Sequence, residues 1–319
     1  MGSPSVIIDG IIMNQIHIIL FYKFTEIENP DEFVQRHLNF CINEGLLGKI
    51  LVAKEGINGS LSGSQEQINK YKDYLTSQNQ FSDINFKEEI GTFSPFKKMI
   101  VRQKKEIIRM DQDLDLKKTG KYISPQELME LYESDAEFIV LDTRNNYESE
   151  VGKFKNALTP DIETFREFPE ALKSLEDKKD KKIITYCTGG IRCEKATSYM
   201  VKEGFTDVHQ LKDGIINFCQ QYPNTLWEGK CFVFDQRLLS LIDPDSEPIT
   251  HCIHCNQSCD RYQNCKNPTC DDFIILCEMC SEDFNGCCSQ KCVEEYKSHT
   301  IRKSRERQGY KSKEKAQGE

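Results

Sequence analysis

Among 319 residues there are one Trp and six His, and the most apolar early stretch is not apolar enough to span a membrane. That stretch, residues 6–24, is interrupted by Asp9, Asn14, Gln15 and His17, whereas a spanning helix needs about 20 largely apolar residues. The basic start and small-residue cleavage site of a secretory signal are also missing, so the expected location is the cytoplasm. No Gly-x-Gly-x-x-Gly fingerprint is present, which removes the usual dinucleotide cradle. The histidines form no two-His-one-carboxylate pattern for a non-haem iron, and no internal repeat is visible. A basic excess is lacking too: 42 Lys and Arg against 51 Asp and Glu leave a net charge of -9, so the chain is not basic all over.

What is present is a soluble globular composition, with 38% hydrophobic and 29% charged residues and a mean hydropathy of -0.58. At roughly 100–200 residues per domain, two or three compact units are expected. The charge is uneven. Lys97, Lys98, Arg102, Lys104, Lys105 and Arg109 stand against Glu106 alone, and residues 301–319 carry seven basic and three acidic side chains. Such runs are most often solvated faces; they also bind phosphates through counterion release. Both readings stand. The outlier is cysteine, with 15 residues, ten of them from Cys252 to Cys292. A secreted disulfide scaffold is Cys-rich throughout, so a local cluster after a long Cys-poor stretch suits a metal-binding module on a cytosolic protein.

Along the chain, residues 15–24 read as a strand, and Pro30 opens a helix that Gly45 stops. Residues 48–53 and 59–62 flank Lys54-Glu55-Gly56-Ile57-Asn58-Gly59, expected to be a hairpin connection because Asn-Gly supplies positive φ. Residues 65–76 form a second helix, and residues 81–89 and 99–110 are extended. The order β-α-β-β-α-β predicts an α+β ferredoxin-like domain over residues 1–112, with possible RNA contact. Residues 111–118 are a charged linker. Ser124-Pro125-Gln126-Glu127 then has the order of a capped helix start. Apolar strands at 138–141, 182–186 and 208–211, with a helix at 192–203, predict an α/β unit with a parallel sheet over residues 119–224. Ligand sites in such sheets lie at the carboxyl ends of strands, where Asp142 and Cys187 fall. A linker and Cys-rich module over 225–300 and a charged tail over 301–319 complete the chain.

The strongest feature is Tyr186-Cys187-Thr188-Gly189-Gly190-Ile191-Arg192-Cys193, a strand end, a Cys, a Gly-rich bend and a helix start. Backbone N–H groups of such a bend and the helix N-terminus stabilise a thiolate or persulfide. A lone Cys here would more often be a small buried hydrophobe; the surrounding glycines and Arg192 favour the reactive reading. Four residues separate Cys187 from Arg192, a tighter cradle than the one cysteine phosphatases of similar topology use, which favours sulfur chemistry over dephosphorylation.

Cys-Thr-Gly-Gly-Ile-Arg on this turn resembles the active loop of a rhodanese domain. Leu141-Asp142-Thr143-Arg144, the Gly152 to Ala157 turn and Leu211-Lys212-Asp213-Gly214 are similar to its other motifs. Together with Ala53-Lys54-Glu55-Gly56-Ile57-Asn58-Gly59-Ser60, Asp142 through Glu148 and the Cys cluster, they resemble the bacterial tRNA uridine hydroxylases over about residues 15–292. The resemblance implies oxygen-dependent conversion of the wobble uridine of certain tRNAs to 5-hydroxyuridine. It also implies the tRNA anticodon arm as partner, molecular oxygen as co-substrate, an unidentified reductant, and Cys187 as the active-site thiol. The anion-binding loop is then Thr188, Gly189, Gly190, Ile191 and Arg192. Arg192 serves anion binding or loop bracing, and Asp142 and Arg144 support the site, with a purely structural Asp142 ion pair as the other reading. Cys193 is either a resolving thiol or a core residue of the first helical turn. A rhodanese-type persulfide sulfurtransferase acting on thiosulfate or a protein or tRNA acceptor is the alternative function. A non-enzymatic zinc-dependent interaction protein is a third, against which the intact Cys187 and Arg192 weigh.

In the cluster, two Cys-x2-Cys knuckles separated by 21 residues approach zinc-ribbon spacing. One partition puts Cys252, Cys255, Cys277 and Cys280 in one site and Cys265, Cys270, Cys288 and Cys292 in a second; an interleaved partition stands beside it. One or two structural zinc ions are expected, with His251 and His254 as alternate ligands. Disulfides suit a cytosolic context poorly, and the Cys-x2-Cys-x2-Cys run of an iron–sulfur site is absent. Cys41, Cys219 and Cys231 read as packing residues.

Overall fold

The computed structural model describes residues 6–8, 11–13, 15–240, 242 and 245–299. The tail expected over 301–319 lies outside the described residues. The chain divides into two compact units, Met1–Ser246 and Glu247–Glu319.

The first unit holds two main sheets. In the first, β1 (Ile16–Phe24), α1 (Pro30–Asn43), β2 (Leu47–Ala53), β3 (Gly56–Gly63), α2 (Gln65–Thr76), β4 (Phe86–Gly91) and β5 (Met99–Gln103) follow in order. The sheet order β4-β1-β3-β2, antiparallel throughout, is the expected ferredoxin-like arrangement. To it β5 adds an outer strand parallel to β2. Local signals start both helices. Asn29 accepts from Glu32 N–H ahead of Pro30, and Ser64 and Gln67 form a reciprocal capping box. Helix positions Phe33, His37, Cys41, Ile68, Tyr71 and Leu75 then meet strand positions Ile19, Phe21, Ile50, Ile57 and Leu61 in the buried interior. His37 is enclosed so fully that burial, aided by the Arg36 charge, pushes its pKa down to about 3.

The hairpin differs from expectation. Its turn is Lys54-Glu55, because Ala53 pairs with Gly56 and the register runs on through Leu51 and Asn58. Asn58-Gly59 is therefore strand, not turn. Gly59 is required for a different reason, since a Cβ there would lie 2.5 Å from the Phe21 ring and 3.0 Å from Ile50 Cγ1.

The second sheet contains β6 (Lys121–Ile123), β7 (Ile139–Asp142), β9 (Lys182–Tyr186) and β10 (Asp207–Leu211), with β8 (Gly152–Phe154) outside it. Its order β6-β10-β9-β7 is parallel at every pairing. Alternate residues serve opposite faces: Leu141 and Ile183 pack with Met200 and Phe205, while Val140 and Ile184 pack with Ile215 and Phe218. A sheet covered on both faces needs such continuous apolar strands. The covering helices are α3 (Pro125–Glu133), started by the Ser124–Glu127 capping box, then α5 (Ile191–Lys202) and α6 (Gly214–Gln221), with the short α4 (Asn146–Val151) after β7. The stretch after Thr225 is more than linker, because β11 (Trp227–Gly229) pairs antiparallel with β8.

The second unit is built from one small hairpin and two helices, of which the second covers residues 290–299. β12 (Tyr262–Asn264) pairs with β13 (Phe273–Ile275), and α7 (Glu278–Asp283) follows. One of its apolar clusters is built on Cys265, Cys287, Cys292 and Val293, too small a core to hold a fold without a staple.

Gly59→Ala tests the hairpin register: overpacking against Phe21 should destabilise the first unit by about 1–3 kcal/mol in chemical denaturation. If Gly59 were a turn residue, an added methyl would leave the packed interior untouched.

Candidate active site and cysteine clusters

β9 delivers Cys187 to the carboxyl edge of the parallel sheet, and the chain bends through Thr188, Gly189 and Gly190 into α5. Gly190 caps that helix at a φ of 102°, a left-handed conformation that costs glycine no Cβ clash. A Cβ on Gly214 would lie 2.4 Å from the Cys187 carbonyl oxygen and 2.7 Å from that of Thr188. The bare backbone there lets Ile215 N–H donate to the Cys187 carbonyl at 3.0 Å and Ile216 N–H to the Thr188 carbonyl at 3.2 Å. With its carbonyls held from behind, the loop turns N–H groups to the sulfur, and Gly190 N–H donates to Cys187 Sγ at 3.1 Å. On the other side β1 closes over the bend. A Cβ on Gly189 would stand 2.8 Å from Leu20 Cδ2, and one on Gly190 would stand 2.8 Å from the Tyr22 hydroxyl. Cys187 is fully buried as a result.

Burial on its own pushes the Cys187 thiol up. The Cys193 thiol, the Arg192 charge, and the N–H groups of Arg192 and Gly190 outweigh it and bring Cys187 down to about 5. Cys193 moves the other way, raised by burial and by the hydrogen bond and charge of Cys187, so it keeps its proton. It packs in the core with its Sγ 3.8 Å from Thr143 Oγ1. Arg192 is not free. Its Nη1 and Nη2 donate to Glu148 Oε2 and Oε1 at 2.6 and 2.7 Å, both side chains being buried. This geometry braces the loop and favours bracing over anion capture for Arg192. Removing one partner of such a pair costs about 3–5 kcal/mol.

Asp142 and Arg144 form a second buried unit, with Arg144 Nη2 2.6 Å from Asp142 Oδ2. Tyr186 hydroxyl also donates to Asp142 Oδ2 at 2.6 Å, and Arg144 Nη2 donates to the Gly152 carbonyl at 2.6 Å. All these groups satisfy one another, so the pair locks β7, β8 and β9 together below the loop. Thr188 lies in the bend and Ile191 opens α5; the Thr188 hydroxyl is buried without a hydrogen-bond partner.

Sequence reasoning missed several residues. Glu148 had a visible signal, the Asn145-x-x-Glu148 capping-box spacing, but nothing in that spacing points to Arg192. Glu194 accepts from the Tyr22 hydroxyl at 3.1 Å, the Tyr122 hydroxyl at 2.7 Å and Gln210 Nε2 at 3.2 Å. Burial pushes its pKa upward. Lys195 Nζ lies 2.9 Å from Glu55 and 2.6 Å from Glu106. These contacts join the helix that starts at the loop to the first sheet, across sequence separations that no local pattern encodes.

In the second unit, Cys252, Cys255, Cys277 and Cys280 form one group and Cys265, Cys270, Cys288 and Cys292 another, the sulfurs of each lying within 4.8 Å of one another. This is the first of the two partitions, and its pairs alternate along the chain, so that Cys265 and Cys270 lie between the two knuckles of the other group. Pairs at 3.7, 3.6 and 3.5 Å are Cys255–Cys277, Cys270–Cys288 and Cys288–Cys292. Four sulfurs at ~2.3 Å around one ion stand about 3.8 Å apart, far beyond an S–S bond. The donor sets therefore fit tetrahedral four-thiolate ions. N–H groups of Cys280 and Cys288 donate to Cys277 and Cys265 Sγ, and Asn267 Nδ2 to Cys292 Sγ, as an outer shell. His254 is no ligand; it stacks on Phe284 at 3.6 Å, and its Nε2 lies 3.1 Å from the Cys287 carbonyl. His251 is outside both groups.

Residues 16–107 match the UPF0176 acylphosphatase like domain, residues 124–221 the rhodanese-like domain, and residues 228–293 the rhodanase C-terminal family. A tRNA uridine(34) hydroxylase of Cytophaga hutchinsonii is 41% identical over 283 residues, which covers 88% of this chain and 90% of that protein. Proteins of the same name from Acholeplasma laidlawii and Staphylococcus haemolyticus are 42% and 40% identical, covering 86% and 90% of this chain and 88% and 92% of theirs. The chain belongs to the tRNA uridine(34) hydroxylase family. Within that family's framework, the Cys187 loop is the one place among the described residues where a lowered thiol, a helix N-terminus and a buried Arg meet.

Thiolate absorbance in the ultraviolet, taken as wild type minus Cys187→Ser, should rise as pH climbs through about 5, well below the ordinary thiol range near ~8.5. Arg192→Gln with Glu148→Gln keeps the pair polar but removes both charges, and should move that midpoint upward. A wild-type midpoint in the ordinary range would contradict the anion cradle.

Proposed function

We propose that this chain hydroxylates C5 of the wobble uridine of tRNA to 5-hydroxyuridine, with molecular oxygen as co-substrate and Cys187 as the reactive thiol. The observation that carries the reading is the Cys187 sulfur held by the Gly190 N–H at the β9–α5 bend in a chain 40–42% identical to the three hydroxylases above. One oxygen atom of O2 replaces the C5 hydrogen; the other leaves as water, taking two electrons and two protons from a reductant. A lowered thiolate is available as nucleophile or persulfide carrier.

The parts divide the work. The ferredoxin-like domain (residues 1–112) takes the anticodon arm, the rhodanese domain (residues 119–224) presents Cys187, and residues 225–300 carry the metal module. Lys97, Lys98, Arg102, Lys104, Lys105 and Arg109 are all exposed along β5 and its flanks, at the edge of the first sheet. That edge is the phosphate-binding face, confined to one side of an acidic protein. Two zinc ions occupy the four-cysteine sets and stabilise a unit with little apolar core. Among the described residues no helix is long and apolar enough to cross a membrane. The cytoplasm, where tRNA is modified, is the proposed location.

Nucleoside mass spectrometry of tRNA from a deletion strain tests the reaction. Derivatives of 5-hydroxyuridine should disappear, return with the wild-type chain, and stay absent with Cys187→Ser. Unchanged levels in the deletion strain would end this reading, and thiosulfate turnover with no hydroxyuridine would mark a sulfurtransferase instead. Metal analysis of the purified chain should give two zinc ions, with Cys255→Ser and Cys270→Ser each losing one; iron with a visible charge-transfer band would overturn the zinc assignment.

A further inference from the structure

Phe234 leaves 63% of its surface exposed, yet the hairpin that presents it is firmly tied down. Val233 N–H donates to the Leu238 carbonyl at 2.8 Å and closes the turn. Arg237 then clamps it, with Nη2 2.6 Å from Asp235 Oδ2 and Nη1 2.8 Å from Glu89 Oε2 on β4. The Ser240 hydroxyl donates to the same Glu89 oxygen at 3.0 Å. The side chains of Arg237, Asp235 and Glu89 are 8%, 4% and 9% exposed, so this is a buried ionic clamp, not a surface bridge. Behind Phe234, Phe232 packs edge-on at 5.3 Å and Tyr147 at 6.5 Å, so the ring stands on other aromatic rings.

A single exposed aromatic carries no meaning by itself. The second observation is its neighbour: the Arg192 guanidinium lies 5.7 Å from the centre of the Phe234 ring. Arg192 closes the Cys187 loop and helps lower that thiol. The fold therefore holds an aromatic ring rigidly, in contact with solvent, one side chain away from the reactive loop.

We propose that Phe234 is the stacking platform for the target uridine, splayed out of the single-stranded anticodon loop. The inference rests on the hydroxylase reading above and adds to it the group that positions the base. Uracil offers a flat π face and few hydrogen-bonding edges, and aromatic stacking is the usual way that proteins hold an unstacked RNA base. A ring already fixed by the Arg237 clamp loses little further freedom on binding. Tyr147 and Phe232 form the base of the platform, and Phe234 is its contact surface.

The test uses the full chain, a fluorescently labelled RNA anticodon stem-loop, and single-turnover formation of 5-hydroxyuridine in whole tRNA. Phe234→Ala should weaken stem-loop binding and raise the half-saturating tRNA concentration about tenfold, with the melting temperature and the Cys187 thiolate midpoint unchanged. Phe234→Tyr and Phe234→Trp should bind nearly as tightly as wild type, while Phe234→Leu, equally apolar but without a π face, should behave like Phe234→Ala. Wild-type binding by Phe234→Ala, or equal rescue by Leu and Tyr, would overturn the proposal. If the wild-type chain forms no 5-hydroxyuridine while RNA affinity still follows the ring at 234, the hydroxylase reading fails and the stacking platform stands. If hydroxyuridine forms equally well with Phe234→Ala, the platform fails alone.

Discussion

A guanidinium stays buried only beside a carboxylate that can share its charge, and Arg192 depends on Glu148 for this. The requirement ties together two segments far apart in sequence, because Glu148 stands on the helix after β7 and Arg192 at the start of the helix after the neighbouring strand β9. Once paired, Arg192 supplies positive potential to the Cys187 sulfur without being available as a flexible surface cation. The neighbouring Asp142–Arg144–Tyr186 unit extends the same logic one layer deeper, where every polar atom of the clamp finds a partner. The loop therefore rests on a polar floor that is costly to rearrange, and its thiol is lowered by surroundings that do not have to move.

The first sheet acts on the same loop from the opposite side. Leu20 and Tyr22 occupy the positions that Cβ atoms of Gly189 and Gly190 would need, and Gly214 lets α6 approach from below. All three glycines are thus contact surfaces as well as flexible backbone. Glu194 and Lys195, directly after the loop, bind Tyr22 and the Glu55–Glu106 pair, and Lys87 meets Asp213 beside the Gly214 turn. The two sheets are joined through the residues that flank the reactive bend, so any change in the seating of the first sheet is felt at Cys187.

The fifteen cysteines have separate physical roles. Eight form two four-sulfur groups whose spacing fits metal ions; Cys193 is raised by burial and by Cys187, while Cys193, Arg192 and backbone N–H groups lower Cys187 against its burial. Cys41 and Cys231 are buried thiols pushed up to about 12, mainly by burial, as packing residues should be. Spacing alone marked Cys252, Cys255, Cys277 and Cys280, because Cys-x2-Cys knuckles must present paired sulfurs on short turns, whereas the fold brings the other four together.

Local chemistry was legible wherever cause and effect lie within a few residues. The cap at Ser124, the helix starts at Pro30 and Pro125, the apolar strands of a doubly covered sheet, and the Cys187 bend could all be read directly. The cysteine partition, with pairs alternating between the two groups along the chain, was one of two readings that the spacing allowed. The hairpin turn was misplaced, because Asn-Gly has the same local preference in a turn and in a strand where Phe21 demands a glycine. Only the tertiary structure decided what meets across the chain: Glu148 with Arg192, Tyr22 with Glu194, Glu89 with Arg237. Such pairs are selected by burial and charge compensation in three dimensions, and a one-dimensional pattern records the residue types without recording which of them must share a charge.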